Sequence, residues 1–413
     1  MSSILTPEPA RVSPFLALQH RDFRLIWLGQ LISLAGTQMQ QVAINWHIYI
    51  LTKSPVALGL IGLMRVVPII VFSLIGGAIA DARDRRRVLI VTQIAMMFFA
   101  ALLGLLTISE LINAPLIYAL AALTAAAGAF DSPARQALYP NLVPKEHLTN
   151  AVSLINLSRQ TASILGPMLA GFVIAALNVE AVYWINALSF LAVLAALVLM
   201  KTPAQKNLGA SSVSLAAVGE GIRFVIKSPM ILSTMLLDFL ATFFSSATSL
   251  LPIFATEILN VGAQGLGILY GAESVGAIIA GAIMSLIGNI KRQGAILLGA
   301  VAAYGVATTL YGMSDLFVLS LVLLALVGAA DTVSTILRNT IRQLATPDRL
   351  RGRMTSVNMI FFMGGPQLGN LEAGIAAALF GAPFAVISGG IATVLLVVMT
   401  AWLVPQLREY SGQ

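Results

Sequence analysis

Apolar residues run along this chain in long blocks separated by short polar breaks. Blocks of about twenty mostly apolar residues, the length that crosses a hydrocarbon layer, fall near 24–50, 57–80, 88–108, 115–135, 151–176 and 181–200. Six more follow near 230–256, 264–287, 294–312, 316–337, 354–378 and 383–404. The pattern predicts an all-α membrane protein of twelve transmembrane helices. A polar stretch at 201–228 carries Lys201, Lys206, Glu220, Arg223 and Lys227, with an amphipathic segment at 221–226 expected on the membrane surface. It divides the chain into a six-helix half at 1–200, a cytoplasmic linker at 201–228 and a second six-helix half at 229–413.

Composition agrees with this reading. Of 413 residues, 58% are hydrophobic and 10% charged, against about 25% charged in an ordinary soluble domain. A soluble fold cannot hide that much apolar surface, so lipid must cover much of it. With no cysteine, disulfides and thiolate metal sites are excluded. The first twenty residues hold Pro7, Pro9 and Pro14 and no long apolar run, so the first helix is expected to act as the insertion signal.

The net charge of +7 reads as a topology signal. Of 24 Lys and Arg, 21 fall on one side when both termini are placed in the cytoplasm. Lys53 lies in an outer loop, and Arg65 and Arg159 lie inside helices. The expectation is a multi-pass protein of a bacterial-type inner membrane, working as a monomer, with no nucleic-acid partner.

The halves repeat. Gly128-Ala129-Phe130-Asp131 matches Gly328-Ala329-Ala330-Asp331 at an offset of 200, and Gly166-Pro167 matches Gly365-Pro366 at 199. Gly77 matches Gly281 at 204, and Arg135 with Pro144 matches Arg338 with Pro347 at 203. Duplicated six-helix halves related by an axis along the membrane normal are a transporter architecture, with the substrate between them.

Several polar positions carry candidate chemistry. Gln38, Gln41 and Asn45 follow i, i+3, i+7 spacing and share one face of the first helix. A polar face at that depth looks at protein or at water, so these residues are candidates to line a substrate cavity, or else bond neighbouring helices. Charges within helices, Arg65, Arg159, Asp238, Glu273 and Glu372, each cost about 2.5–3.5 kcal/mol or more unless paired or hydrated. Two arginines cannot neutralise three acids, and an acid left over suits a proton carrier. Gly166-Pro167 and Gly365-Pro366, at matching depth, combine close packing with a permitted bend and read as hinge candidates. Asp131 and Asp331 read mainly as partners of Arg135 and Arg338. There is no Gly-Lys dipeptide and hence no Walker loop, and His20, His47 and His147 are not expected to form a metal site. No enzyme site or cofactor is read from the chain.

The loop 76–87 holds Gly77, Asp81, Arg85 and Arg86 in an arrangement that resembles the major facilitator superfamily, whose pattern there is roughly G-x-L-A-D-R-x-G-R-[RK]. Ala82 replaces the usual Arg and Asp84 the usual Gly. Stretches 17–24, 131–135, 142–144, 221–224 and 350–353 are similar to the branch containing macrolide-efflux and enterobactin-exporter proteins. The resemblance implies alternating access and proton-driven export of amphipathic small molecules such as drugs, macrolides or siderophore-like compounds. It also implies a cytoplasmic gate at Asp81, with Arg85 and Arg135 as partners. It further implies that the second helix meets the eleventh and the fifth meets the eighth. On that basis Arg65 is expected to pair with Glu372, whereas Arg159 and Glu273 differ by about 9 Å in depth and are expected to pair in only one conformation or not at all. Glu273 is the first choice of proton carrier, and Asp238, left without an intramembrane arginine, is the second. An importer or uniporter of the same fold fits the same residues. A lipid-active membrane enzyme lacks a catalytic cluster, and a scaffold or sensor has no need of buried acids.

Overall fold

The computed structural model describes residues 15–201, 215–245, 247–288 and 290–411, with backbone alone at 73–78, 80–82, 215–218, 247 and 356. Its long helices follow the apolar blocks. They are α1 (Arg21–Thr52), α2 (Pro55–Ala82), α3 (Arg85–Ile108), α4 (Ala114–Leu138), α5 (Leu148–Leu177) and α6 (Val179–Leu199), then the amphipathic α7 (Leu215–Lys227). A second series follows: α8 (Pro229–Phe244), α9 (Gly262–Leu286), α10 (Gln293–Gly312), α11 (Phe317–Ala345), α12 (Arg351–Phe380) and α13 (Ala382–Leu403). No strand occurs among the described residues.

Local chemistry sets several boundaries. The Ser54 hydroxyl accepts from the Ala57 N–H with Pro55 at the first turn, and Asn113 does the same for Leu116 with Pro115 following. Asp84, the residue that departs from the superfamily pattern, caps α3. Its carboxylate accepts from the Arg86 N–H at 3.0 Å and lies 3.7 Å from Arg87 Nε.

Among the described residues, ten helices are long and apolar enough to cross a membrane, and only 33–50% of each such window is buried inside the protein. Side chains such as Leu286, Val318 and Trp402, 72–85% exposed, therefore need an apolar medium around the molecule. Neither α1 nor α12 meets that threshold. These two helices carry the carboxamides that face the central cavity, which lowers their hydropathy.

Packing repeats between the two series. Within 21–199, α1 packs on α5 and α6, α2 on α4, and α3 on α4 and α6. Within 229–403, α8 packs on α12 and α13, α9 on α11, and α10 on α11 and α13. Two seams join the series, α5 against α9 and α2 against α12. Both are built where glycines let backbones touch. A Cβ on Gly267 would meet the Pro167 carbonyl at 2.5 Å and Gly171 Cα at 3.0 Å. One on Gly374 would meet the Pro55 carbonyl at 2.6 Å and Gly59 Cα at 3.2 Å.

The two ends of the molecule differ. At the end carrying Lys53, one apolar core runs through both series, from Val42, Tyr49 and Leu58 to Phe254, Leu266 and Ala377. At the end carrying Arg85 the cores are separate. One holds Phe23, Leu138 and Leu197, and another holds Leu237, Leu297 and Ile341. The amphipathic α7 does not lie free on a surface. Val225 packs with Ile231, Met235, Met354 and Val357, and Glu220 pairs with Arg349 at 3.3 Å and with Arg353.

Filling a seam is expected to cost more than filling an open helix face. Gly267→Leu should destabilise the protein by at least about 1–3 kcal/mol, read as a lowered melting temperature in detergent. Gly299→Ala, whose new Cβ has nothing within 4 Å, should leave that temperature unchanged or raise it slightly.

Candidate functional site: a central cavity between two helix series

Three carboxamides on one face of α1 lead to the site. Gln38, Gln41 and Asn45 all line a cavity of about 250 Å³ between the series. Arg65 from α2, Glu273 from α9, and Gln367 and Asn370 from α12 also line it. Asn45 donates to Tyr270 Oη at 2.8 Å, and that hydroxyl donates to the Thr248 carbonyl at 3.0 Å. Ser274 Oγ bonds the Ser163 carbonyl at 3.0 Å. The floor toward Lys53 is closed by the shared apolar core and by Tyr49, whose hydroxyl donates to Glu257. Lys53 lies 4.9 Å over the Tyr49 ring. Glu257 sits in a π-helical turn, Phe254–Ile258.

Arg65 and Glu273 face this one cavity, and among the described residues neither makes an ion pair within 4.0 Å or a hydrogen bond. This corrects the expected Arg65–Glu372 pair, and in this conformation Glu273 is not paired with Arg159 either. Gln367, Asn370 and Gly374 share the face of α12 turned to α2 and the cavity. At about 100° per residue, Glu372 is rotated some 200° from Asn370, so it points away from Arg65. Arg159 lies toward the Arg85 end, in a separate cavity of about 210 Å³ with Arg135, Asp131, Trp27 and Gln93, out of reach of Glu273.

Asp238 also differs from expectation. It is buried, 3.0 Å from Arg338 Nη2 and 3.5 Å from Arg342 Nη2. Thr234 accepts from Arg342 Nε at 3.2 Å, and Asn358 accepts from its Nη1. The reason is length. The expected helix at 316–337 continues to Ala345, so Arg338 and Arg342, assigned by sequence to a cytoplasmic loop, occupy successive turns of its buried face. Arg338 also lies 3.6 Å from Asp331. Asp238 is thus an ion-pair partner, and the ground for choosing it as a proton carrier falls away.

The remaining candidate positions are spread across the fold. Asp131, 5% exposed, accepts from Thr92 at 2.9 Å, Gln93 at 2.8 Å and Arg135 Nε at 2.9 Å, so its charge is satisfied locally. Arg85 donates to the Ala137 carbonyl at 2.8 Å and Arg86 to the Val198 carbonyl at 3.0 Å, tying the start of α3 to the ends of α4 and α6. Gly77 and Asp81 fall in the last turns of α2, and their side-chain surroundings lie outside the described residues. Gly166 packs on α1, where a Cβ would meet Gln38 Cβ at 2.5 Å, and Gly365 packs on α8, against the Phe239 carbonyl at 2.9 Å. Pro167 and Pro366 sit within unbroken helices. His20 and His147 meet at 2.9 Å, whereas His47 bonds Tyr183 at 3.0 Å near the opposite end.

A polar cavity enclosed between two repeated helix series suits passage of a solute, and comparison with known proteins decides the family. The family model described as transmembrane secretion effector, within the major facilitator group, matches residues 12–412. The chain belongs to this family of major facilitator transporters. It is 26% identical over 395 residues to the enterobactin exporter EntS of Escherichia coli O1:K1, covering 95% of this chain and 94% of that protein. EntS of Shigella boydii serotype 18 matches equally, at 26% over 395 residues. Among solved structures, a bacterial homolog of the human lysosomal transporter Spinster in an inward-facing, unoccupied conformation superposes with a TM-score of 0.69 at 14% identity. That match covers 94% of this chain and 97% of the other. The nucleoside transporter NupG superposes at 0.73 with 12% identity, covering 93% and 100%. Such distant likenesses establish the fold alone, and that the protein is a transporter rests on the family model over residues 12–412.

In this major facilitator protein, the carboxamides and Arg65 were legible from spacing and depth, whereas Tyr270, Gln367 and Asn370 were not singled out. Only Asn370 and Gln367, three apart on α12, gave a usable signal. The buried cluster makes a stability prediction. Asp238→Ala strands Arg342, leaves Arg338 with Asp331 at 3.6 Å, and should cost about 3–5 kcal/mol. The cost should appear as loss of the monodisperse folded fraction in size-exclusion chromatography, before any transport assay.

Proposed function

We propose that this transporter exports siderophore-like compounds from the cytoplasm by alternating access, driven by protons. Its two moving bodies are 1–200 and 229–413, joined by the linker 201–228. The carrying observation is the central cavity, where an unpaired Arg65 and an unpaired Glu273, contributed by opposite bodies, face the same space. Unpaired charges at that depth are costly, so a solute or a proton that neutralises one of them changes the energy of the whole carrier. The carboxamide lining favours a ligand rich in hydrogen-bonding groups over a purely apolar drug, and relatives bearing the name enterobactin exporter support the same class.

The positive-inside pattern supports an inner membrane with both termini cytoplasmic, and in this reading the protein works as a monomer. In that orientation the shared core and the Tyr49–Glu257 contact close the periplasmic side, and the separate cores leave an inward-facing state. Asp81 with Arg85 and Arg86 then serves as the cytoplasmic gate that closes in the alternate state, and the Gly-Pro pairs serve as hinges. Glu273 is the proton carrier, opposite Arg65 instead of Arg159. Losing its charge on protonation removes its attraction to Arg65 across the cavity and frees the bodies to rock.

Two measurements test this. In proteoliposomes with an imposed pH gradient, Glu273→Gln should keep enterobactin exchange yet lose gradient-driven accumulation. Retained accumulation by that variant would sink the coupling role. Tyr49→Phe removes the hydroxyl that joins the two bodies at the Lys53 end. With spin labels on Lys53→Cys and Asn260→Cys in this cysteine-free chain, the variant should shift the distance distribution toward longer separations. An unchanged distribution would show that the hydroxyl does not hold that side shut.

A further inference from the structure

The second helix series encloses a cavity of its own. It measures about 160 Å³ and is lined by the hydroxyls of Thr242, Tyr304, Thr308 and Tyr311 together with the carboxyls of Glu273 and Asp331. Glu273 borders both this cavity and the central one. Tyr311 is 1% exposed, and its hydroxyl has no hydrogen-bond partner among the described residues. A buried hydroxyl left unpaired is expensive, and a space of this size, bordered by two carboxyls and several hydroxyls among apolar side chains, has room for about five waters, which would satisfy it. Asp331 borders the same space and has 44% of its side chain exposed. Gly328 of α11 packs on the Glu273 backbone, so Asp331, about one turn further along α11, lies nearer the Arg85 end.

We propose that this cavity is a hydrated proton conduit, separate from the ligand cavity, in which Asp331 exchanges protons with solvent at the Arg85 end and delivers them to or collects them from Glu273. The proposal rests on the reading of Glu273 as proton carrier and names the route that serves it. A proton leaving an Asp331 oxygen is relayed along waters held by the Tyr304, Thr308 and Tyr311 hydroxyls, each water taking up one proton and passing on another, until a Glu273 oxygen accepts the last; only O–H bonds are exchanged.

The charges around Asp331 suit such a task. Arg338 on the same helix lies 3.6 Å away, and Asp238 from α8 shares that guanidinium at 3.0 Å, with Arg342 on the far side of Asp238. When Asp331 takes up a proton, Arg338 keeps Asp238 as its counter-ion, so no cation is orphaned. Glu273 is faced by Arg65 from α2 and by Tyr270 from its own helix across the central cavity, and by Tyr304 from α10 within the conduit. A conduit apart from the ligand path lets the acid change charge while the central cavity is occupied.

The test follows deuteration of one carboxyl by infrared difference spectroscopy on the full chain in nanodiscs, with no transported ligand present. The Glu273 band is the carboxyl signal lost in Glu273→Gln. Asp331→Asn should slow its exchange with D₂O by about tenfold or more, the scale expected when a positioned proton donor is removed. Thr308→Val, which preserves shape and removes one hydroxyl, should slow it as well and covers the case in which Asp331→Asn fails to fold. Unchanged exchange in the variants that fold overturns the conduit and leaves the carrier role of Glu273 intact. If no titrating carboxyl band disappears in Glu273→Gln, the carrier reading fails and the conduit fails with it.

Discussion

A charge inside a hydrocarbon layer has no water to turn to, and the arrangement of this protein follows from how each such charge is answered. Asp131 is answered by Arg135, Thr92 and Gln93 within the first helix series. Asp238 is answered by Arg338 and Arg342 within the second. Both clusters are internal to one series, so they hold each series together through any movement between them. Arg65 and Glu273 are left facing the space between. The division is what separates scaffold from working parts: satisfied charges stiffen the bodies, and unsatisfied ones make the cavity responsive to what enters it.

The same logic explains why the cavity is lined by carboxamides. A Gln or Asn costs far less than an ion to place at mid-depth, yet it donates and accepts. Five of them around one guanidinium and one carboxylate give a surface that binds without fixing a single charge pattern. The price in hydropathy shows in the chain itself, since α1 and α12 are the helices that fail a simple apolarity threshold.

Much of this was legible in the sequence. The helices were, because a chain of this size has no soluble core large enough to bury so many apolar blocks of membrane length. The cavity face of α1 was, because i, i+3, i+7 spacing on one helix needs no knowledge of its neighbours. The seams α2–α12 and α5–α9 came from family resemblance. Ion pairing was not legible, because it depends on helix rotation and depth together. Glu372 sits on the right helix but the wrong face, and Arg159 sits on the right helix but one cavity too far. Arg338 was read as a partner of Asp331, and it lies 3.6 Å from it, but the bonds of Arg338 and Arg342 to Asp238 were missed because hydropathy cannot distinguish a cytoplasmic arginine from one that satisfies a buried acid after the apolar run has ended. Asp84 read as a defect in the superfamily pattern, and its backbone contact to Arg86 makes it a helix cap.

The glycine seams bear on the kinetics of reorientation. Where Gly267 meets Gly171 and Gly374 meets Gly59, no side chain interlocks with another. Sliding one series past the other there requires no rotamer to cross a barrier and no knob to leave its hole. The enthalpic barrier to switching is therefore concentrated at discrete polar contacts such as Tyr49–Glu257, while the seams set only the direction of travel. The temperature dependence of the turnover step should then report the few bonds broken between the series, Tyr49–Glu257, Asn45–Tyr270 and Ser274–Ser163, and be nearly blind to the large apolar area that moves with them.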